Sequence, residues 1–269
     1  MSPNGHLDAP PRELRALRRL PRPLYGRAEA LPNRLLGYRH SHPWVQLSYA
    51  TRGVLDVHTA GGRFVAPPQR AVWIPPGVAH RVRATPDARI NSLYIDPAAL
   101  AGGGECRVLA ISPLLRELIR AFAALPVTYA EDGADGRLVR VLLDQLAAAP
   151  SEALMLPLPG DPRLRRLCAA LQRQPDDARA LAAWGQRLGA AEKTLSRLFR
   201  RETGLTFRAW RQRLRLFHAL PLLERGERVT DVALACGYDS TSAFIAAFRA
   251  QFGATPGAFA GSPEAPRTC

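Results

Sequence analysis

Between Trp44 and Ile95 the apolar residues fall in short runs that suit strands: Trp44–Tyr49, Val54–His58, Arg63–Val65, Ala71–Ile74, His80–Val82 and Ile90–Ile95. Gly53, Gly61, Gly62, Pro67, Pro68, Pro75, Pro76, Gly77 and Pro86 separate them. Strands about 8–12 residues apart, broken by turn formers, predict a small all-β barrel or sandwich. The period changes after Gly102, Gly103 and Gly104. Ser112 followed by Pro113 has the form of an N-cap and first helical residue, and Leu115, Leu118, Ile119 and Phe122 then share one helix face. A second helix, about residues 136–148, carries Leu138, Val141, Leu142 and Leu146. Together they predict a helical hairpin suited to dimerisation or to relay between domains.

The C-terminal part has helical periodicity and an internal repeat. Phe199, Arg200, Gly204 and Thr206 recur as Phe248, Arg249, Gly253 and Thr255, each 49 residues on. Ahead of the first copy, Leu181, Trp184 and Leu188 form an apolar stripe, Gly189 makes a turn, and Leu195, Leu198 and Phe199 face inward on the next helix. Ahead of the second, Val229, Val232 and Ala233 lead to Gly237, and Asp239 and Ser240 cap a helix with Phe244, Phe248 and Phe252 inward. Helix, glycine turn, helix, found twice, is the pattern of two helix-turn-helix units. A helix over residues 206–225, with Phe207, Trp210, Leu214 and Phe217 inward, joins them, and Pro221 is expected to kink or end it.

Composition then narrows the classes. A chain of 269 residues with 47% hydrophobic residues has room for two domains with cores, which excludes wholesale disorder. No apolar stretch is long enough to span a membrane, and the Pro/Arg-rich start, Met1 to Arg22, lacks the apolar core of a secretory signal, so a cytoplasmic location is expected. Cys106, Cys168, Cys236 and Cys269 form no CxxC pair, which points to reduced thiols. Net charge is +14, and its distribution says more than its size. Residues 163–215 hold 13 Arg and Lys193 against Asp176, Asp177, Glu192 and Glu202, a local +10, whereas residues 217–269 balance at −1. Such density indicates a polyanion partner. On the first unit's second helix Lys193, Arg197, Arg200 and Arg201 lie opposite the apolar stripe, with Thr194 and Ser196 beside them, and Arg208, Arg211, Arg213 and Arg215 follow. A major groove admits one helix, and Arg bonds guanine O6 and N7 in two places, so this face predicts binding to double-stranded DNA. The second unit presents Thr241, Ser242, Ile245, Ala246 and Arg249, a weaker reader: Ile245 can touch thymine methyls while Ser242 and Arg249 hold phosphates, or the helix can simply dock and position.

The C-terminal hundred residues resemble the AraC/XylS family of bacterial transcription regulators. The likeness lies in Leu181–Gly204, in Arg215, Ala219, Leu222 and Leu223, and in Val229–Ala233, Gly237, Tyr238, Phe244, Phe248, Arg249, Phe252, Gly253 and Pro256. It implies a seven-helix domain whose two recognition helices enter successive major grooves about 34 Å apart. It places Lys193, Ser196, Arg197, Thr241, Ser242 and Ile245 at base-reading positions, and implies contact with RNA polymerase and activation more often than repression.

Four histidines lie in the β region. His40 and His42 are two residues apart and share a strand face; Gln46 follows, then Gly53, and later Pro75, Gly77 and His80. This resembles the cupin barrel, whose motifs supply three His and one Glu to a metal, with Gln46 here in the place of Glu. The resemblance implies either a Zn, Ni, Fe or Mn site on His40, His42, Gln46 and His80, weakened for hard ions by the lost carboxylate, or a metal-free effector pocket lined by the same residues. His58 falls outside the motif. Trp44, Tyr49, Trp73 and Tyr94 are candidates for pocket lining or for core, with core expected for most.

These expectations give an α+β multidomain chain: an arm over 1–29, a cupin-like sensing barrel over 30–100, a helical dimerisation or relay region over 105–149, a linker over 150–162 and an all-α double helix-turn-helix domain over 163–262. The expected function is that of a homodimeric, ligand-responsive transcription regulator that takes a small-molecule effector. Two alternatives are a cupin metalloenzyme with an accessory nucleic-acid module and a ligand-independent architectural DNA binder. The missing Glu and the scatter of other titratable groups, with Asp56 and Asp96 single on their strands, argue against catalysis.

Overall fold

The computed structural model describes residues 19–30, 38–86, 88–100 and 104–260, with backbone alone for 27–30. They form two compact units, one ending at Met155 and the other comprising Leu156 onward together with Gly61–Arg63.

The first unit contains β1 (Leu24–Ala30), β2 (Val45–Arg52), β3 (Leu55–His58), β4 (Gly62–Ala66), β5 (Arg70–Ile74), β6 (Arg81–Ala84), β7 (Arg89–Ile95), β8 (Arg107–Ala110), α1 (Pro113–Phe122), α2 (Ala134–Ala148) and β9 (Ser151–Glu152); β10 (Met155–Pro157) lies where the chain leaves it. A six-stranded sheet runs β1-β7-β2-β5-β8-β9, and β3, β4, β6 and β10 make a second. β2 is buried from Val45 to Ala50 because both of its faces are covered. Its odd positions, Val45, Leu47 and Tyr49, join Trp73, Leu93 and Ile95 in a core with Leu115, Ile119 and Phe122 of α1 and Val139, Leu142, Leu143 and Leu146 of α2. Its even positions, Gln46 and Ser48, point to the opposite face, and the register sets Gln46 between Tyr94 and Ile74.

Several local expectations need correction. The stretch expected to be an arm over 1–29 contains β1, which pairs antiparallel with β7 from Leu24 opposite Ile95 to Ala30 opposite Arg89; residues 1–18 lie outside the described residues. Tyr129 Oη donates to Leu24 O at 3.3 Å, and Arg22 Nε donates to Tyr129 O at 2.9 Å, so the start of β1 and the approach to it are fastened to the α1–α2 connection. The expected linker, 150–162, contributes β9 and β10. On α2 the buried face is Val139, Leu142, Leu143 and Leu146, and Val141 is 46% exposed. The cap on α1 is as expected, with Ser112 Oγ accepting from Leu115 N at 3.1 Å.

The second unit holds α3 (Pro162–Arg173), α4 (Leu181–Leu188), α5 (Glu192–Thr203), α6 (Phe207–Glu224), α7 (Val229–Ala235), α8 (Thr241–Phe252) and α9 (Pro256–Ala260). Asp161 caps α3, its Oδ1 accepting from Arg163 N at 2.8 Å. The repeat reappears as matching helix ends: Gly204 after α5 and Gly253 after α8 take left-handed φ of 70° and 76°. α6 does not end at Pro221 but runs on to Glu224, because Leu220 and Leu223 on either side are fully buried and hold the last turn. Gly237, between α7 and α8, combines a φ of +74° with close approach: a Cβ there would lie 2.7 Å from an Arg215 guanidinium nitrogen and 2.8 Å from Asp176 Cα. Gly237→Ala is therefore expected to cost about 2 kcal/mol or more, while Gly253→Ala, into open space, costs about 1–2 kcal/mol of backbone strain alone. Denaturant unfolding of the two variants checks this, and equal losses would contradict it.

Candidate nucleic-acid interface and sensor pocket

α5 lies with Leu195 and Phe199 fully buried, packed against Phe207 and Trp210 of α6 with ring centroids 5.7 Å apart in each case. The helix period therefore turns Lys193, Thr194, Ser196, Arg197, Arg200 and Arg201 outward, and all six are exposed. On α8 Phe244 and Phe248 are buried, Ser242, Ala246 and Arg249 are exposed, and Thr241 and Ile245 are half-buried. Ser240 caps α8, its Oγ accepting from Ala243 N at 3.4 Å. Arg249 is the one cation on α8, so charge is concentrated on α5.

The arginines after α5 divide. Arg208 is exposed, but Arg211, Arg213 and Arg215 are half-buried, and burial lowers the pKa of Arg211 and Arg213 below the usual arginine range. Arg211 Nη1 donates to Arg179 O at 2.8 Å, and Arg215 Nε donates to Pro175 O at 2.9 Å. These two tie α6 to the α3–α4 connection, where Arg179 also pairs with the buried Asp177. They hold the domain together, and the basic face expected to extend through them does not.

Sequence reasoning missed the anchoring of the segment that enters the second unit. Trp210 Nε1 donates to Pro157 O at 2.7 Å. Glu202, in the last turn of α5, accepts from Gly160 N at 3.0 Å and Asp161 N at 2.9 Å. Those backbone donors hold the Glu202 carboxyl below its ordinary pKa. The end of α5 is thus fastened to the start of α3. Glu202 lies in the run of α5 residues that carries the family likeness, but nothing in the run marks its partner, 41 residues upstream.

In the first unit, His40, His42 and His80 come together. A backbone bridge pairs His40 with His80, with N···O distances of 2.9 and 2.8 Å, and Gly77 N donates to His42 O at 2.8 Å. One ring nitrogen from each histidine lies within 4.8 Å of the others. His42 Nδ1 faces Trp44 O at 2.9 Å, and His80 Nδ1 faces Val78 O at 2.8 Å. A carbonyl only accepts, so each Nδ1 carries the proton and each neutral ring keeps a lone pair on Nε2. Both Nε2 atoms face Gln46 Oε1, at 2.7 Å from His42 and 3.1 Å from His80, while Gln46 Nε2 donates to Ser48 Oγ at 2.9 Å. Burial disfavours the imidazolium form, lowering His42 and taking His80 down to about 4, so both rings are neutral at pH 7.

Three lone pairs thus converge, and two arrangements satisfy them. A cation can sit among the imidazoles and the amide oxygen, a donor set that suits a borderline divalent ion. Alternatively the Gln46 amide is turned over, its NH2 donating to the two Nε2 atoms and its oxygen accepting from the Ser48 hydroxyl. Trp44 stacks on His42 at 5.7 Å and 10°, and Tyr94 meets the same ring edge-on at 5.8 Å. Tyr49 and Trp73 belong instead to the helix-facing core, so the four aromatics divide evenly. His58 stands apart, 3.0 Å from Asp56.

Comparison with known proteins accords with this division. Residues 24–149 match the AraC-like ligand binding domain, and residues 184–262 match a helix-turn-helix domain. The HTH-type transcriptional regulator NimR of Escherichia coli K12 is 39% identical over 220 residues, covering 82% of this chain and 81% of that protein. The chain belongs to the AraC family. Within the family it is also similar to the HTH-type transcriptional activator RhaR of Klebsiella pneumoniae, 33% identical over 119 residues, 44% of this chain and 39% of RhaR. Among solved structures, ToxT of Vibrio cholerae covers 89% of this chain and 97% of its own at 10% identity and a TM-score of 0.37, too slight a likeness to carry an argument. A ligand-binding domain joined to a helix-turn-helix domain makes this AraC-family chain a ligand-responsive, DNA-binding transcription regulator. No described helix is long and apolar enough to cross a membrane.

Proposed function

We propose that α5 is the principal DNA reader, with Lys193, Ser196 and Arg197 at base edges and Thr194, Arg200 and Arg201 on flanking phosphates. Thr241, Ser242, Ile245 and Arg249 of α8 engage a second groove and add less. The observation that carries this reading is the exposure of all six α5 residues over a buried Leu195 and Phe199. A footprint of the purified chain on its own upstream DNA, across a salt series, tests it. The expected result is a discrete protected region of about two helical turns per chain, weakening steeply as salt rises. Uniform, site-independent protection would overturn it.

The pocket acts as a sensor rather than as a catalytic centre: the matched domain is a ligand-binding one, and the attached DNA reader gives a binding event something to control. His40, His42, His80 and Gln46 hold a divalent Zn, Ni, Fe or Mn ion. Such an ion would supply a coordination position for a small-molecule effector beside Trp44 and Tyr94. The convergent lone pairs support this. Metal titration of the full chain is expected to give one tightly held ion per chain, lost in His80→Ala. No retention by a folded parent would favour the turned-over amide and a metal-free organic effector.

Residues 24–100 with the 105–149 helices form the sensing and relay part, and 163–262 the DNA-binding part. The chain works as a cytoplasmic homodimer that activates through RNA polymerase contact. Leu114 on α1 and Val141 on α2, 55% and 46% exposed, offer apolar surface for self-association on the helical hairpin.

A further inference from the structure

We propose that Glu192 is a specificity-determining residue that selects a base bearing an exocyclic amine, cytosine above all, beside the site read by Lys193 and Arg197. The inference rests on α5 being the DNA reader and concerns a residue of opposite charge from the rest of that face. Glu192 is the first residue of α5, exposed, one helical turn ahead of Ser196 and adjacent to Lys193. In a helix-turn-helix it is the N-terminal part of the second helix that reaches the base edges.

The other acids of the basic segment have different circumstances. Asp177 is buried against Arg179, and Glu202 is committed to Gly160 N and Asp161 N. Asp176 lies in the α3–α4 connection, its Cα packed against Gly237 between α7 and α8. The Glu192 side chain has no hydrogen-bond or ion-pair partner among the described residues. An exposed carboxylate on this face opposes the phosphate charge and weakens binding to DNA of any sequence. It is repaid only where a donor meets it, and in the major groove the cytosine N4 amino group is the donor that a Glu carboxylate matches. The residue thereby contributes discrimination both by rejecting sites without that donor and by accepting from sites with it. An acid in the first turn of a helix also suits the helix dipole, more so here because Ala191 at the N-cap makes no side-chain capping bond. That role affects stability without regard to base sequence, which separates the two explanations by experiment.

The test is selection from a randomised DNA library with the full chain, its Glu192→Ala and Glu192→Gln variants, and thermal unfolding of each. The parent is expected to select a motif with cytosine at one position in the half-site bound by α5, preferred about tenfold over the other bases. Glu192→Ala loses the preference at that position alone and binds random DNA several-fold more tightly. Glu192→Gln moves the preference toward adenine, whose N6 and N7 a Gln amide matches. Identical motifs from all three proteins, with or without a fall in melting temperature, would overturn the proposal and assign Glu192 to the helix end. No motif even from the parent would instead remove the reading of α5 on which the proposal stands.

Discussion

Trp210→Ala is expected to destabilise the helix-turn-helix unit by about 3–5 kcal/mol, the range for removing a large aromatic from a core. The ring is fully buried on α6, edge-on to Phe199 of α5 at 5.7 Å. It therefore sets the distance between the joining helix and the inner face of the recognition helix. Its Nε1 also donates to Pro157 O at 2.7 Å, holding the segment through which the chain enters the unit. Trp210→Phe divides these roles. It keeps most of the packing and leaves Pro157 O without its donor, for an expected loss of about 1–2 kcal/mol. Denaturant unfolding of the full chain, followed by a signal from the helical unit, measures both. A loss below about 1 kcal/mol in the alanine variant would mean that α5 and α6 are held together elsewhere. Glu202, bonded to Gly160 and Asp161, is where that support would be sought first.

Most of the second unit was legible because its helices are amphipathic and its two copies repeat. Phe199 and Phe248, at matching positions of the repeat, are fully buried, since period and spacing are properties of the chain alone, whereas Leu188, Leu198, Val229 and Phe252, expected to face inward, are half-buried. The roles of the arginines were not legible. Arg197 and Arg215 are the same residue type in one basic stretch, and only folding shows that Arg215 spends its donors on Pro175, Asp176 and Asp177 carbonyls. β1 was missed for a related reason. Its partner β7 lies about 60–70 residues on in sequence, and prolines precede it, so local pattern suggested an arm. On α2 the apolar residues outnumber one face, and the sequence did not say that Val139 rather than Val141 turns inward. In the pocket, the spacing of His40, His42, Gln46 and His80 marked one cluster, but not through a shared strand face: His40 and His42 lie ahead of β2, and the His40–His80 bridge and the Gly77 N–His42 O bond hold them. The direction of each imidazole proton followed only from the carbonyls of Trp44 and Val78.

Arg197→Ala is expected to weaken binding to the specific site about 10- to 100-fold, corresponding to one bidentate base contact of about 1–3 kcal/mol. Its stability should stay within about 0.5 kcal/mol of the parent, because the side chain is exposed and has no partner among the described residues. The pairing of intact fold with lost affinity sets it apart from Arg211 and Arg215, whose removal breaks bonds to Arg179 O and Pro175 O. Ile245→Ala on α8 provides the comparison. Its half-buried side chain offers a thymine methyl contact at most, so a smaller loss is expected, and the salt slope should not change. If Arg197 meets only a phosphate, its alanine variant will instead weaken all sequences alike and lower the salt slope by about 1. Comparable losses from Arg197→Ala and Ile245→Ala, measured on the same operator at the same salt, would show that the two helices share the reading equally. The concentration of charge on α5 would then serve attraction to DNA rather than selection of a sequence.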